Sequence, residues 1–348
     1  MRIQQVQEQK LSPAQRAELF AVHTRQHINE LPSMVGLGAD RTVNFTLPKT
    51  RLLSKIALVV EGELTIATAA ATALARFSPY NILRRVQVSI NNGFNPVNVS
   101  GAELYLTNIA QHNGSVFKPI AGNERTVAPG LTVGTHPFRF VAEMPITLNE
   151  RDMVGLVLLQ NEETVVTVNI DIGAASSLVT PGGTTVLSFP SFRITPVITT
   201  FSIPAVPQAF PDLSVLKLLQ SQVNEAPTSG QMTVRLPVGT TYRKIFLDMG
   251  DIAIPGTIDV IFNQADTPYS ITPRYLRAVN EEMYGDELPA DVYALDFSYQ
   301  GLANLGGLRD YIDTERLTEF WLRFPVATGA AGRLVTTVFE TLSRLRPQ

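Results

Sequence analysis

The chain has 348 residues, with 28 basic and 31 acidic side chains for a formal net charge of −3; 45% of its residues are apolar and 17% charged. This length accommodates two domains that each bury a substantial core, and the near balance of charge provides no field to draw in nucleic acid, so direct nucleic-acid binding is disfavoured as the main task. The absence of cysteine excludes a disulfide framework, a thiolate zinc site and a cysteine nucleophile.

The first ten residues, MRIQQVQEQK, lack the apolar centre of a signal peptide. No window reaches the roughly 18 apolar residues of a membrane span, so a cytoplasmic product is expected. Residues 11–31 carry the clearest helix signal. Ser12 suits an N-cap and Pro13 the first helical position; Ala14, Ala17, Phe20, Ala21, Ile28 and Leu31 form an apolar stripe, and Pro32 stops the pattern. Residues 1–42 are therefore expected to be an N-terminal helix and arm.

From Val43 the period becomes two, or short apolar runs bounded by Gly, Pro, Asn and Asp, the spacing of an all-β sandwich. Within residues 43–203, RFSPYNILRRVQVSINNG (Arg76 to Gly93) is informative. Ser78-Pro79 breaks regular structure, Val86, Val88 and Ile90 alternate, and Asn91-Asn92-Gly93 closes a turn. This leaves Arg84 and Arg85 at the mouth of a half-buried strand, positioned for framework or intersubunit pairing rather than anion binding.

Residues 204–212, with three prolines in IPAVPQAFPD, read as a linker. Residues 213–348 form a second β-rich region, with short helices expected near Leu213 to Val223 and near Arg274 to Tyr284 behind Thr272-Pro273.

The chemical inventory is thin. His23 and His27 would share a helix face, but Thr24 stands where a metalloprotease motif needs Glu. His112 and His136 stand alone, and a cupin-type metal enzyme would need clustered ligands. The adjacent carboxylates Glu162-Glu163 and Glu281-Glu282 diverge on a strand or helix and do not face one another as a glycosidase requires. Gly182-Gly183 and Gly306-Gly307 lack the following Lys-Ser/Thr of a phosphate cradle. No catalytic residue, cofactor or metal site is expected, and the chain reads as a non-enzyme.

Phe77-Ser78-Pro79-Tyr80-Asn81-Ile82-Leu83-Arg84-Arg85-Val86 resembles the F-x-P-x-N-[LI]-x-x-R-[VI] segment of the major capsid proteins of tectivirus-like bacteriophages: tailless, double-stranded DNA phages with an internal membrane. Leu11-Ser12-Pro13-Ala14-Gln15 is similar to that family's L-[ST]-P-A-Q helix start. Ser100-Gly101 through Thr107-Asn108 is similar to its strand after the first long loop, and Leu213-Ser214-Val215-Leu216 to the entry of its second jelly roll. The matches are short and collinear to about residue 250; no long Gly/Gln-rich C-terminal extension is present to supply a tying arm.

The resemblance implies two tandem eight-stranded jelly rolls in a homotrimer of pseudo-hexagonal outline that tiles an icosahedral shell. Its implied partners are further copies of itself, vertex and minor capsid proteins and, weakly, the internal membrane through the stripe of Ala14, Ala17, Phe20, Ala21, Ile28 and Leu31. The implied location is the virion capsid, after synthesis in a bacterial cytoplasm. A tandem β-sandwich receptor- or carbohydrate-binding protein is the alternative, and it would need aromatic platforms on loops.

Overall fold

The computed structural model describes residues 13–344 except 37, 39, 68–72, 92, 113–132, 149–153, 181–185, 212, 286–287, 290 and 299–310. The first half contains α1 (Pro13–His23), β1 (Gln26–Glu30), β2 (Thr42–Thr46), β3 (Leu52–Ile66), β4 (Ala73–Leu74), β5 (Leu83–Ile90) and β6 (Phe94–Val99). It continues with α2 (Gly101–Gln111), β7 (Gly134–Pro145), β8 (Val157–Leu158), β9 (Val166–Ile172), β10 (Val179–Thr180) and β11 (Leu187–Phe201). The second half contains β12 (Val215–Glu225), β13 (Gly230–Leu236), β14 (Thr241–Asp248), β15 (Ile258–Phe262), β16 (Asp266–Ile271) and α3 (Pro273–Tyr284). It ends with β17 (Val292–Asp296), β18 (Ile312–Asp313), β19 (Phe320–Val326) and β20 (Leu334–Arg344).

These elements form a double jelly roll. A nine-stranded sheet, ordered β17-β14-β20-β12-β6-β5-β9-β2 with β18 beside β14, runs through both halves. Its two halves meet where β12 and β6 pair in parallel, Leu219 opposite Val97 and Gln220 opposite Asn98. A second sheet, β1-β11-β3-β7 with β8, closes the first barrel, and a third, β13-β19-β15-β16, closes the second.

The two barrels lie on opposite faces of the shared sheet. Strand residues alternate between faces, so a register row keeps to one face across every strand it crosses. The row Phe45, Val168, Val88, Val97 faces the first core and continues as Leu219, Glu340, Lys244 and Asp296. One residue along, the row Asn44, Asn169, Gln87, Asn98, Gln220 is polar, then continues as Phe339, Ile245 and Leu295 inside the second core. Each of these rows thus changes chemistry between β12 and β20, one strand past the β6/β12 pairing.

Three expectations are corrected. The N-terminal helix ends at His23, and residues 26–30 form β1, which pairs antiparallel with β11 from Gln26 opposite Phe201 to Glu30 opposite Val197. The segment expected as a helix over 213–223 is β12; Leu216 to Leu219 are all buried, so leucines fall on both faces around the buried Lys217 and no alternation marks the strand. Residues 100–108, taken as a strand from the resemblance, begin α2. Ser100 accepts from the Glu103 amide (3.4 Å) and the Glu103 carboxylate accepts from the Ser100 amide (2.6 Å), a capping box that fixes the start of the helix. The helix expected near 274–284 is α3, capped by Thr272.

Candidate functional site

The seam between the barrels holds a set of charged side chains that join the two halves. Arg76, just before β5, reaches into the second half: Nη1 donates to Asp248 Oδ1 and Nη2 to Asp291 Oδ1, each at 2.6 Å. Its guanidinium also lies over the Phe77 ring, 4.4 Å from the centroid. Burial raises the Asp291 carboxyl above its ordinary value, while Arg76 draws it the other way. α2 spans the seam as well. Burial raises the Glu103 carboxyl, against its hydrogen bonds from Ser100 and from Ser221 of β12.

Beyond the seam, the sheet face under α2 and α3 carries buried ions among apolar side chains such as Phe246 and Val338. Lys244 lies between Asp296 and Glu340 in register, and its Nζ meets Asp296 Oδ2 at 3.1 Å and the Ala110 carbonyl at 3.3 Å. Glu340 takes Lys217 Nζ at 3.0 Å and Arg243 Nη1 at 2.6 Å. Burial alone would raise the Glu340 carboxyl, but Lys217, Arg243 and Lys244 outweigh it and hold it down at about 2. Asp296 accepts from Tyr284 Oη (2.7 Å) and from the Ser298 amide and hydroxyl (2.9 and 2.6 Å). With both carboxylates saturated by donors, this network holds strands and helices in register. The same arrangement would have to be dismantled before any of its groups could act on a substrate.

The sequence-predicted residues lie elsewhere. Arg84 points outward and reaches only the exposed Asp40 (3.5 Å), while exposed Arg85 donates from Nε to Asn98 Oδ1 at 2.8 Å. Neither meets a buried carboxylate among the described residues. An arginine that does bridge the two halves is Arg76, whose partners stand 172 and 215 residues away and leave no local sequence signal.

The apolar stripe is also redistributed. Phe20 is 1% exposed and packs against Phe201 with ring centroids 5.5 Å apart, in a small core with Leu52 and Leu156 at one end of the first barrel. On α1, Ala17 is half-buried and Ala21 exposed; the side chain of Ala14 and residues 1–12 lie outside the described residues. Ile28 is on β1 and 67% exposed, and Leu31 follows β1 and packs against the first core. Phe20 therefore serves the chain's own core, leaving Ala21, Val22 and Ile28 as the described apolar groups of this segment that face outward.

His27 is on β1, so the helical pair with His23 does not form, and no group of three or more potential ligands capable of holding a metal exists among the described residues. Glu162, Glu163, Glu281 and Glu282 are exposed. Gly182, Gly183, Gly306 and Gly307 lie outside the described residues. No helix among the described residues is long and apolar enough to cross a membrane.

No family model and no curated protein matches the sequence. Solved structures do match by fold. The chain is similar to the STIV MCP, with 16% identity and a TM-score of 0.68 over 92% of this chain and 97% of that one. It is similar to a chain in the atomic structure of Sulfolobus Turreted Icosahedral Virus, with 18% identity and a TM-score of 0.65 over 92% and 91%. It is also similar to the major capsid protein P2 from bacteriophage PM2, with 12% identity and a TM-score of 0.55 over 93% and 99%.

Proposed function

We propose that this chain is a viral major capsid protein, a structural building block rather than an enzyme. The observation that carries the reading is a fold of two jelly rolls on one shared sheet that matches major capsid proteins over nearly the whole of both chains. The seam supports it, because Arg76 with Asp248 and Asp291, Glu103 with Ser221, and Lys244 with the Ala110 carbonyl tie the first half to the second.

On this reading three copies close into a homotrimer of pseudo-hexagonal outline, since each chain contributes two barrels. Trimers then tile an icosahedral shell, with vertex and minor capsid proteins completing it. The bacteriophage host and the internal membrane rest on the sequence resemblance, with α1 and β1 at the inner surface. The outward-facing Ala21, Val22 and Ile28 offer a modest apolar area, so each copy would contact lipid weakly and a shell would do so by many linked contacts.

The test is light scattering and negative-stain microscopy of the purified 38.1 kDa chain. A particle of about three times the monomer mass with a hexagonal outline is expected for the trimer. A stable monomer that binds sugars would replace this reading with the carbohydrate-binding one.

A further inference from the structure

The polar half of the shared sheet is an open floor. Asn44, Asn169, Gln87, Asn98 and Gln220 stand side by side across β2, β9, β5, β6 and β12. Past the seam the same row becomes Phe339, Ile245 and Leu295, roofed by the sheet β13-β19-β15-β16. The roof stops at the seam, which leaves a step beside the floor. Arg85 and Asp171 pair on the neighbouring register row and cancel in charge. Among the described residues, the carboxamides of Asn44, Asn169, Gln87 and Gln220 donate and accept no hydrogen bond.

We propose that this floor seats the second barrel of another copy of the chain, forming the head-to-tail contact of the ring. The inference rests on the capsid reading and names the surface it would use. A neutral row with equal numbers of amide donors and acceptors offers nothing to a polyanion and suits another protein surface. Five strands about 4.8 Å apart and five residues of about 3.4 Å give a floor of roughly 400 Å², and the step adds a wall about 10 Å high. Together these come to roughly 570 Å², about two thirds of the roughly 800 Å² per partner of a specific interface.

The outer face of the second barrel supplies matching chemistry. Its rows place Arg235 beside Trp321 and Thr233 beside Arg323, and Trp and Arg are the residue types that most often anchor interfaces. Trp321 is half-buried on that face with its Nε1 turned inside the barrel, so it offers a partner ring area rather than a donor, while the floor's carboxamides face the exposed Arg235 and half-buried Arg323. The heights agree as well: Gln222 donates to the Arg235 carbonyl at 3.1 Å, which sets the Gln220 row and the Trp321 row within two residues of one level. A rotation about an axis along the strands preserves that level, as a cyclic ring requires.

Because the chain has no cysteine, one introduced thiol reports on one place. Asn44→Cys puts it on the floor; Glu163→Cys and Glu282→Cys put it at two exposed reference sites. In the oligomer, the floor thiol is expected to react with a maleimide about tenfold more slowly than the faster reference, since a packed interface excludes solvent and reagent. A floor thiol that reacts within about threefold of the references in a proven oligomer overturns the seat and leaves the capsid reading standing. A chain that stays monomeric at every concentration removes both. Should Asn44→Cys fail to fold, Asn169→Arg takes its place: loss of the oligomer with unchanged circular dichroism supports the seat, and an intact oligomer overturns it.

Discussion

Arg76 and Asp248 meet at 2.6 Å although 172 residues separate them, and the contact joins the turn before β5 to the last residue of β14. Its partner Asp291 completes a fork in which one guanidinium ties down two carboxylates of the other barrel. All three side chains are partly exposed, between 16% and 34%, so screening reduces the value of the fork. Arg76→Ala is expected to cost about 1–2 kcal/mol. A double-mutant cycle with Asp248→Asn, read by urea unfolding, should show coupling between the two sites; independent effects would mean the fork contributes nothing across the seam.

Glu340 is the counter-ion of Lys217 and Arg243. Glu340→Ala leaves both cations buried without it and is expected to destabilise by about 3–5 kcal/mol, whereas a change to an exposed carboxylate such as Glu282 should stay within about 0.5 kcal/mol.

The same residue gives a pH signature. Its folded carboxyl is depressed to about 2 from an ordinary 4.5, so its contribution is fully present above pH 4.5. The contribution is lost as the pH falls from there toward about 2, and is roughly 3 kcal/mol in all. Acid unfolding of the unsubstituted chain should therefore steepen below about pH 4.5, and Glu340→Gln should flatten that segment of the profile.

Gly101 opens α2 against the turn that precedes β5. A Cβ there would stand 2.0 Å from the Tyr80 carbonyl oxygen and 2.9 Å from Leu83 Cβ. Gly101→Ala is expected to cost about 2–3 kcal/mol by forcing helix and turn apart, despite the better helix propensity of alanine. A thermal midpoint equal to or above that of the unsubstituted chain would show that the backbone yields there without cost.

The N-terminal segment divides into parts with different roles. Phe20→Ala is expected to cost about 3 kcal/mol because Phe20 fills a small core with Phe201, Leu52 and Leu156. Removing residues 1–31 takes away β1 and uncovers the edge of β11, so that truncation should aggregate. Removing residues 1–12 should leave the folded tile intact, and co-flotation with lipid vesicles then measures whether those residues carry the membrane contact.

The β-rich pattern, the break at Ser78-Pro79 and the capped helix behind Thr272-Pro273 were legible because each is set by residues close in sequence. β1 was not. Gln26 to Glu30 continues the helical spacing of α1, and it is extended only because β11, more than 160 residues later, supplies hydrogen bonds. β12 was misread for a related reason: burial on both faces removes the period that marks a strand. The start of α2 is legible in the capping-box spacing of Ser100 and Glu103, against the strand that the family resemblance implies there. The seam was out of reach, because the fork of Arg76 and the amide row arise from register between distant strands.

β20 lies between β12 and β14, so the last strand of the chain is an interior strand of the shared sheet. The first barrel has all its strands once Phe201 has left the ribosome, but until residues 334–344 emerge, β12 and β14 each wait with an unpaired edge. Synthesis thus separates the maturation of the two halves in time. The interval between them is the period when stalled or truncated chains are most prone to join one another edge to edge, and translation slowed over residues 249–333 should lower the yield of soluble protein more than an equal delay over residues 52–99.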